Sequence, residues 1–147
     1  MVEIAFYQLS RSRLENALPK LLEKTLAAGK RAVVLTGSAE RTEALASALW
    51  IYERESWLPH GTAKDGHAAE QPIWLGETDI NPNNADFLFL TDGARSEGVA
   101  AFERVFELFG EADDAIAKAR DRWTAYRAAG FTVTYWQQGE RGWELKS

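Results

Sequence analysis

The chain has no cysteine, so disulfides and thiolate chemistry are excluded. A reducing compartment, the cytoplasm, is its natural setting. Histidine is scarce too. His60 and His67 flank Asp65 in a polar segment. No cysteine ligand and no HExxH pattern supports a metal there, and the plain reading is two exposed loop histidines. The phosphate motifs GxxxxGK[ST] and GxGxxG are missing. Thr36-Gly37-Ser38 turns from a strand into a helix N-terminus. That turn suits an anion weakly and is first of all a turn with Ser38 as N-cap. GxSxG is missing as well, and the carboxylates form no recognisable acid–base pair, so no catalytic group is named. No cofactor and no metal is expected. No apolar run approaches the ~20 residues of a membrane span. Val2-Glu3-Ile4 is acidic and does not read as the start of a signal peptide.

Positive charge is also in deficit. The formal net charge is −5, with a pI of about 5.1. Affinity for nucleic acid comes from neutralising phosphates with Lys and Arg, so strong direct nucleic-acid binding is not expected. A local basic patch remains compatible with this balance.

What is present is an ordinary globular composition of 147 residues, 46% apolar and 27% charged. It predicts one domain over residues 1–147 with a real core. Six tryptophans exceed that norm, and such amphipathic area serves both cores and interfaces. Ile4-Ala5-Phe6-Tyr7 reads as a first strand. Ser12 and Glu15 have capping-box spacing before a helix carrying Leu14, Leu18, Leu21, Leu22 and Leu26. Pro19 should bend or interrupt that helix. Residues 31–36 form a strand, and Ser38 caps a helix running to about Tyr52. Residues 53–71 read as a long loop. Ile73-Trp74-Leu75 is a third strand. Phe87-Leu88-Phe89-Leu90, with no polar face, is a central one. Val99, Phe102, Val105, Phe106 and Phe109 recur at helical spacing and predict a helix from about Gly98 to Phe109. Residues 131–136 alternate as a strand, with a hairpin through Gly139 to Trp143-Glu144-Leu145. The fold class is α/β: a three-layer domain with a mainly parallel sheet flanked by helices.

Ala115 to Phe131 carries the densest information. At ~100° per residue, Ala119, Trp123 and Tyr126 share one face with Ile116 beside them. Arg120, Arg127 and Thr124 fall next to Trp123, so a large aromatic sits where an apolar face meets a cationic one. Gly130 ends the helix. Without further information this is a solvated arginine face, with Asp113 and Asp121 making weak surface pairs.

Several motifs occur together in order: Phe6-Tyr7-Gln8-Leu9, Ala48-Leu49-Trp50, Ser56-Trp57-Leu58-Pro59-His60 and Tyr126-Arg127-Ala128-Ala129-Gly130-Phe131. The ordered set resembles the chi subunit of bacterial DNA polymerase III holoenzyme over essentially the whole chain. The resemblance implies a nucleotide-binding-like fold without nucleotide function. It also implies a non-catalytic adaptor that pairs with the psi subunit and binds the acidic C-terminal tail of single-stranded-DNA-binding protein. By resemblance, Trp50, Trp57 and Pro59 contact psi; the plainer reading buries both tryptophans in the core. Arg120 and Trp123 match the tail site's cation and aromatic, and Phe109 matches an apolar lining residue. Thr124 stands where some relatives carry a second lysine; Arg127 is the better substitute cation, and Lys118 points away. A small nucleotide-binding or hydrolytic enzyme using Gly37 and Ser38 is the competing expectation.

Overall fold

The structure, a computed structural model, describes residues 2–10, 12–51 and 58–146. Trp57 lies outside the described residues. Seven strands form one sheet: β1 (Glu3–Gln8), β2 (Ala32–Leu35), β3 (Ile73–Gly76), β4 (Phe87–Leu90), β5 (Arg104–Phe109), β6 (Thr132–Gly139) and β7 (Gly142–Leu145). Their order is β3-β2-β4-β5-β1-β6-β7. Neighbours run parallel except for β6 and β7, which form the expected antiparallel hairpin. β2 and β4 are buried at every position, which is why their sequences are continuous apolar runs rather than alternating ones.

Helices cover both faces. α1 (Leu14–Ala27) and α2 (Ala39–Ile51) pack Leu18, Leu22, Leu45 and Leu49 onto Ala5, Val34, Phe89 and Phe106. α3 (Asp113–Ala128) covers the opposite face, where Ala119, Ile116, Trp123 and Tyr126 meet Ile4, Phe6, Val105 and Phe109. Gly130 closes α3 with φ +91°. Its N–H donates to Arg127 O at 3.0 Å, the N–H of Phe131 donates to Tyr126 O at 3.1 Å, and the Tyr126 and Phe131 rings meet edge to face. This is a Schellman ending with its hydrophobic contact, and only a residue tolerant of left-handed backbone closes it cheaply.

Four expectations are corrected. The helix from Gly98 to Phe109 is instead a short 3-10 turn at Val99–Ala101 followed by β5. In β5, Phe106 and Leu108 enter one core while Val105 and Phe109 enter the other. A strand buried on both faces shows no clean alternation, and its apolar residues then mimic helical spacing. The capping box at Ser12 does not form. The N-cap of α1 is Arg13, without a side-chain cap, and Ser12 Oγ accepts from Gln138 Nε2 at 2.8 Å. α1 runs through Pro19 without interruption, and burial of Leu18, Pro19, Leu21 and Leu22 holds it there. His60 is buried, not exposed. Its ring nitrogens lie 2.6 Å from Leu58 O and 3.1 Å from Ala46 O, which ties the segment entering β3 to α2. His67 is exposed as expected.

Candidate functional site

α3 places its residues as helical geometry requires. Phe6, fully buried on β1, is the floor, with the Trp123 ring 5.7 Å away and the Tyr126 ring 5.9 Å away, both edge to face. Such pairs are worth ~0.5–1.5 kcal/mol each beyond the area they bury. Trp123 is half-buried, and on its sheet side the Tyr135 ring stands 6.0 Å away. On its outer side the Arg127 guanidinium lies 5.8 Å from the ring centroid, within cation–π reach. Arg120 and Arg127 therefore rise on either side of one tryptophan.

Together with Tyr135, Gln8 and Gln137, these three residues line a cleft of about 530 Å³ between α3 and β6, and Lys146 lines it as well. Tyr135 Oη donates to Gln8 Oε1 across the floor. Burial pushes the Tyr135 hydroxyl pKa up, and the Arg120 charge pulls it back. Among the described residues neither Arg120 nor Arg127 sits in an ion pair. The surface pairs with Asp113 and Asp121 are thus not formed there. Two guanidinium groups beside an aromatic wall, with their charge unspent, suit a carboxylate attached to an apolar group, since guanidinium holds a carboxylate by two parallel hydrogen bonds.

The other residues named from sequence fall as follows. Phe109 is buried, edge to face with Phe6 at 6.3 Å and Tyr135 at 5.9 Å, so it supports the cleft from beneath. Thr124 is exposed and does not line the cleft. Arg127 reaches the cleft, whereas Lys118 lines a different cavity. Trp50 is 59% exposed on the last turn of α2, with Ile51 beside it at 82%. Its ring packs 4.4 Å from that of His60, with half-buried Pro59 adjacent. The core reading of Trp50 is therefore replaced by a surface one.

Lys146, Gln8, Gln137 and Tyr135 are not named as site residues from the sequence. Lys146 follows Glu144 by two residues, so period-two geometry of the hairpin would have put it on the Tyr135 face. A buried network was missed too. Arg122 Nε donates to Glu107 Oε1 at 2.9 Å, and Tyr126 Oη donates to Glu107 Oε2 at 2.9 Å. Burial pushes the Glu107 carboxyl above its usual range, with Arg122 and Tyr126 pulling it back.

The larger cavity, about 840 Å³, lies where the loops leaving β1 and β5 diverge, the usual crevice of doubly wound sheets. Its arginines are spent internally, whereas Lys118, Glu111 and Asp114 in its lining carry no ion pair among the described residues. Arg41 pairs with Asp92 at 3.2 Å and with Glu15 at 3.3 Å. The backbone amides of its first turn are taken as well: Ser10 N–H and Ser12 N–H both donate to Gln138 Oε1. At the second turn, Gly37 N–H points at Asp92 Oδ2 at 3.5 Å. An internal amide and an internal carboxylate stand where a phosphate would need free donors. The smaller cleft is therefore the better site despite its size.

Residues 1–134 match the family described as DNA polymerase III chi subunit, HolC. The chain is 33% identical over 110 residues to a "Probable DNA polymerase III subunit chi" of Rickettsia prowazekii, covering 73% of this chain and 67% of that one. It is 25% identical over 123 residues to the DNA polymerase III subunit chi of Escherichia coli, covering 83% and 84%. It is 28% identical over 137 residues to that of Pseudomonas aeruginosa, covering 90% and 94%. The chain belongs to the DNA polymerase III chi subunit family, an accessory subunit of the replicative polymerase.

Proposed function

We propose that this chain is a non-catalytic adaptor in the clamp-loader complex, and that its α3 cleft binds the acidic C-terminal tail of single-stranded-DNA-binding protein. The observation that carries this is Trp123 flanked by Arg120 and Arg127, neither spent on an internal acid among the described residues. A tail ending in an aromatic residue and a free carboxylate meets an apolar wall and a guanidinium together. The net charge of −5 disfavours nonspecific DNA binding, while the local cations favour an acidic peptide.

The psi subunit takes a second surface, around Trp50 and Pro59; Trp57, given the same role by resemblance, lies outside the described residues. An exposed indole packed on His60, the residue after a rigid proline, buries area at low entropy cost. Trp50 lies on α2 and the tail cleft on α3, on opposite faces of the sheet, so both partners bind at once.

Calorimetric titration with an acidic peptide ending in Pro-Phe tests the cleft. Arg120→Ala abolishes binding at an unchanged unfolding midpoint; unaltered binding in that variant rules this cleft out. Affinity for the peptide falls as salt rises, because part of it is charge.

A further inference from the structure

The tail cleft has a second wall that α3 does not supply. Gln8 and Gln137 are register partners on β1 and β6, and Tyr135 lies two residues earlier on the same face. Lys146 stands at the edge of that wall. It is pinned there, because its N–H donates to Tyr135 O at 2.7 Å, one residue beyond β7. Its Nζ lies 3.3 Å from Glu144 Oε2. Glu144 in turn lies across β6 at Gly139, where a Cβ would come within 2.5 Å of Glu144 Oε1. Glycine at 139 thus leaves room for an acid to lie beside the cleft.

The cleft therefore holds three cations of two kinds. Arg120 and Arg127 come from the helix. Lys146 comes from the strand side and holds an exposed carboxylate of its own chain. We propose that Lys146 is the strand-side cation for the acidic peptide, taking a side-chain carboxylate upstream of the peptide's terminus, with Glu144 keeping that place until the peptide arrives. This rests on the reading of the cleft as the tail site. A guanidinium fork fixes one planar carboxylate, here the terminal one. An ammonium on a flexible stem accepts carboxylates whose position varies along a disordered peptide. Exchanging one exposed ion pair for another costs little, since such pairs are each weak. Glu144 acts as a built-in competitor, and the two residues have opposite effects on affinity.

The test is a titration of the full chain with an acidic peptide ending in a free carboxylate. A second peptide, with its acidic side chains replaced by amides, is titrated alongside. Lys146→Ala is expected to weaken the acidic peptide about two- to fivefold, to leave the amide peptide unchanged and to flatten the salt dependence. Glu144→Gln is expected to tighten the acidic peptide about twofold. Both variants keep the native unfolding midpoint. Native affinity in Lys146→Ala, or weaker binding in Glu144→Gln, overturns the assignment. Arg120→Ala separates the two levels. If it abolishes binding while Lys146→Ala does nothing, the cleft stands and the strand-side cation falls. If Arg120→Ala binds normally, the cleft itself is wrong.

Discussion

Arg122 and Glu107 face each other at 2.9 Å, 6% and 1% exposed, between α3 and β5. Removing one member of such a pair leaves a buried charge without its partner. Glu107→Ala is therefore expected to cost about 3–5 kcal/mol in urea unfolding. Glu107→Leu combined with Arg122→Met recovers most of that loss. A double variant as unstable as the single one would show that the pair's charge is not the issue.

High pH should loosen the fold through its tyrosines. Burial raises the pKa of Tyr126, Tyr7 and Tyr135; for Tyr126 the Glu107 charge adds to the effect. Each phenol is thus held neutral in the fold to a higher pH than in the unfolded chain. The stability this contributes is full below about pH 10 and is lost as pH climbs through the higher folded-state values. Absorbance titration at alkaline pH is expected to show these phenols ionising late, together with unfolding. Ionisation near the ordinary value without unfolding would contradict it.

Gly130 adopts φ +91° at the end of α3. Gly130→Ala puts a side chain into left-handed backbone and is expected to cost about 1–2 kcal/mol. Thermal unfolding measures this, and an unchanged midpoint would contradict it.

Trp50 is exposed and touches His60. Trp50→Ala is expected to change stability by less than about 1 kcal/mol while removing co-purification with psi. A variant that still co-purifies with psi excludes this residue from that surface.

Much of the fold is readable in the sequence because its strands are short apolar runs bounded by turn residues. Residues 31–36 and 87–90 are examples. β5 is not readable, since burial on both faces erases its alternation and leaves Val99, Phe102, Val105, Phe106 and Phe109 looking helical. Arg122 sits in the inward stripe with Ala119 and Tyr126, but its charge argues for solvent until Glu107 is placed opposite. His60 is hidden for the same reason, since only the fold brings Ala46 O to its ring. In the cleft, Arg120, Trp123 and Arg127 are legible because they share one helix. Gln8 and Tyr135 reach it from two strands, and Lys146 from just beyond a third, which only the sheet register unites.

The most direct test of the cleft compares native protein, Arg120→Lys and Arg120→Ala against an acidic peptide ending in Pro-Phe, with a free or an amidated terminus. Native protein is expected to bind the free terminus and to lose affinity steeply with salt. Arg120→Lys should keep the charge but lose the two-pronged grip, and so bind at intermediate strength. Arg120→Ala, and amidation of the peptide, should each cost at least about tenfold. Equal affinity in all three proteins, or indifference to amidation, would contradict a carboxylate clamp at Arg120.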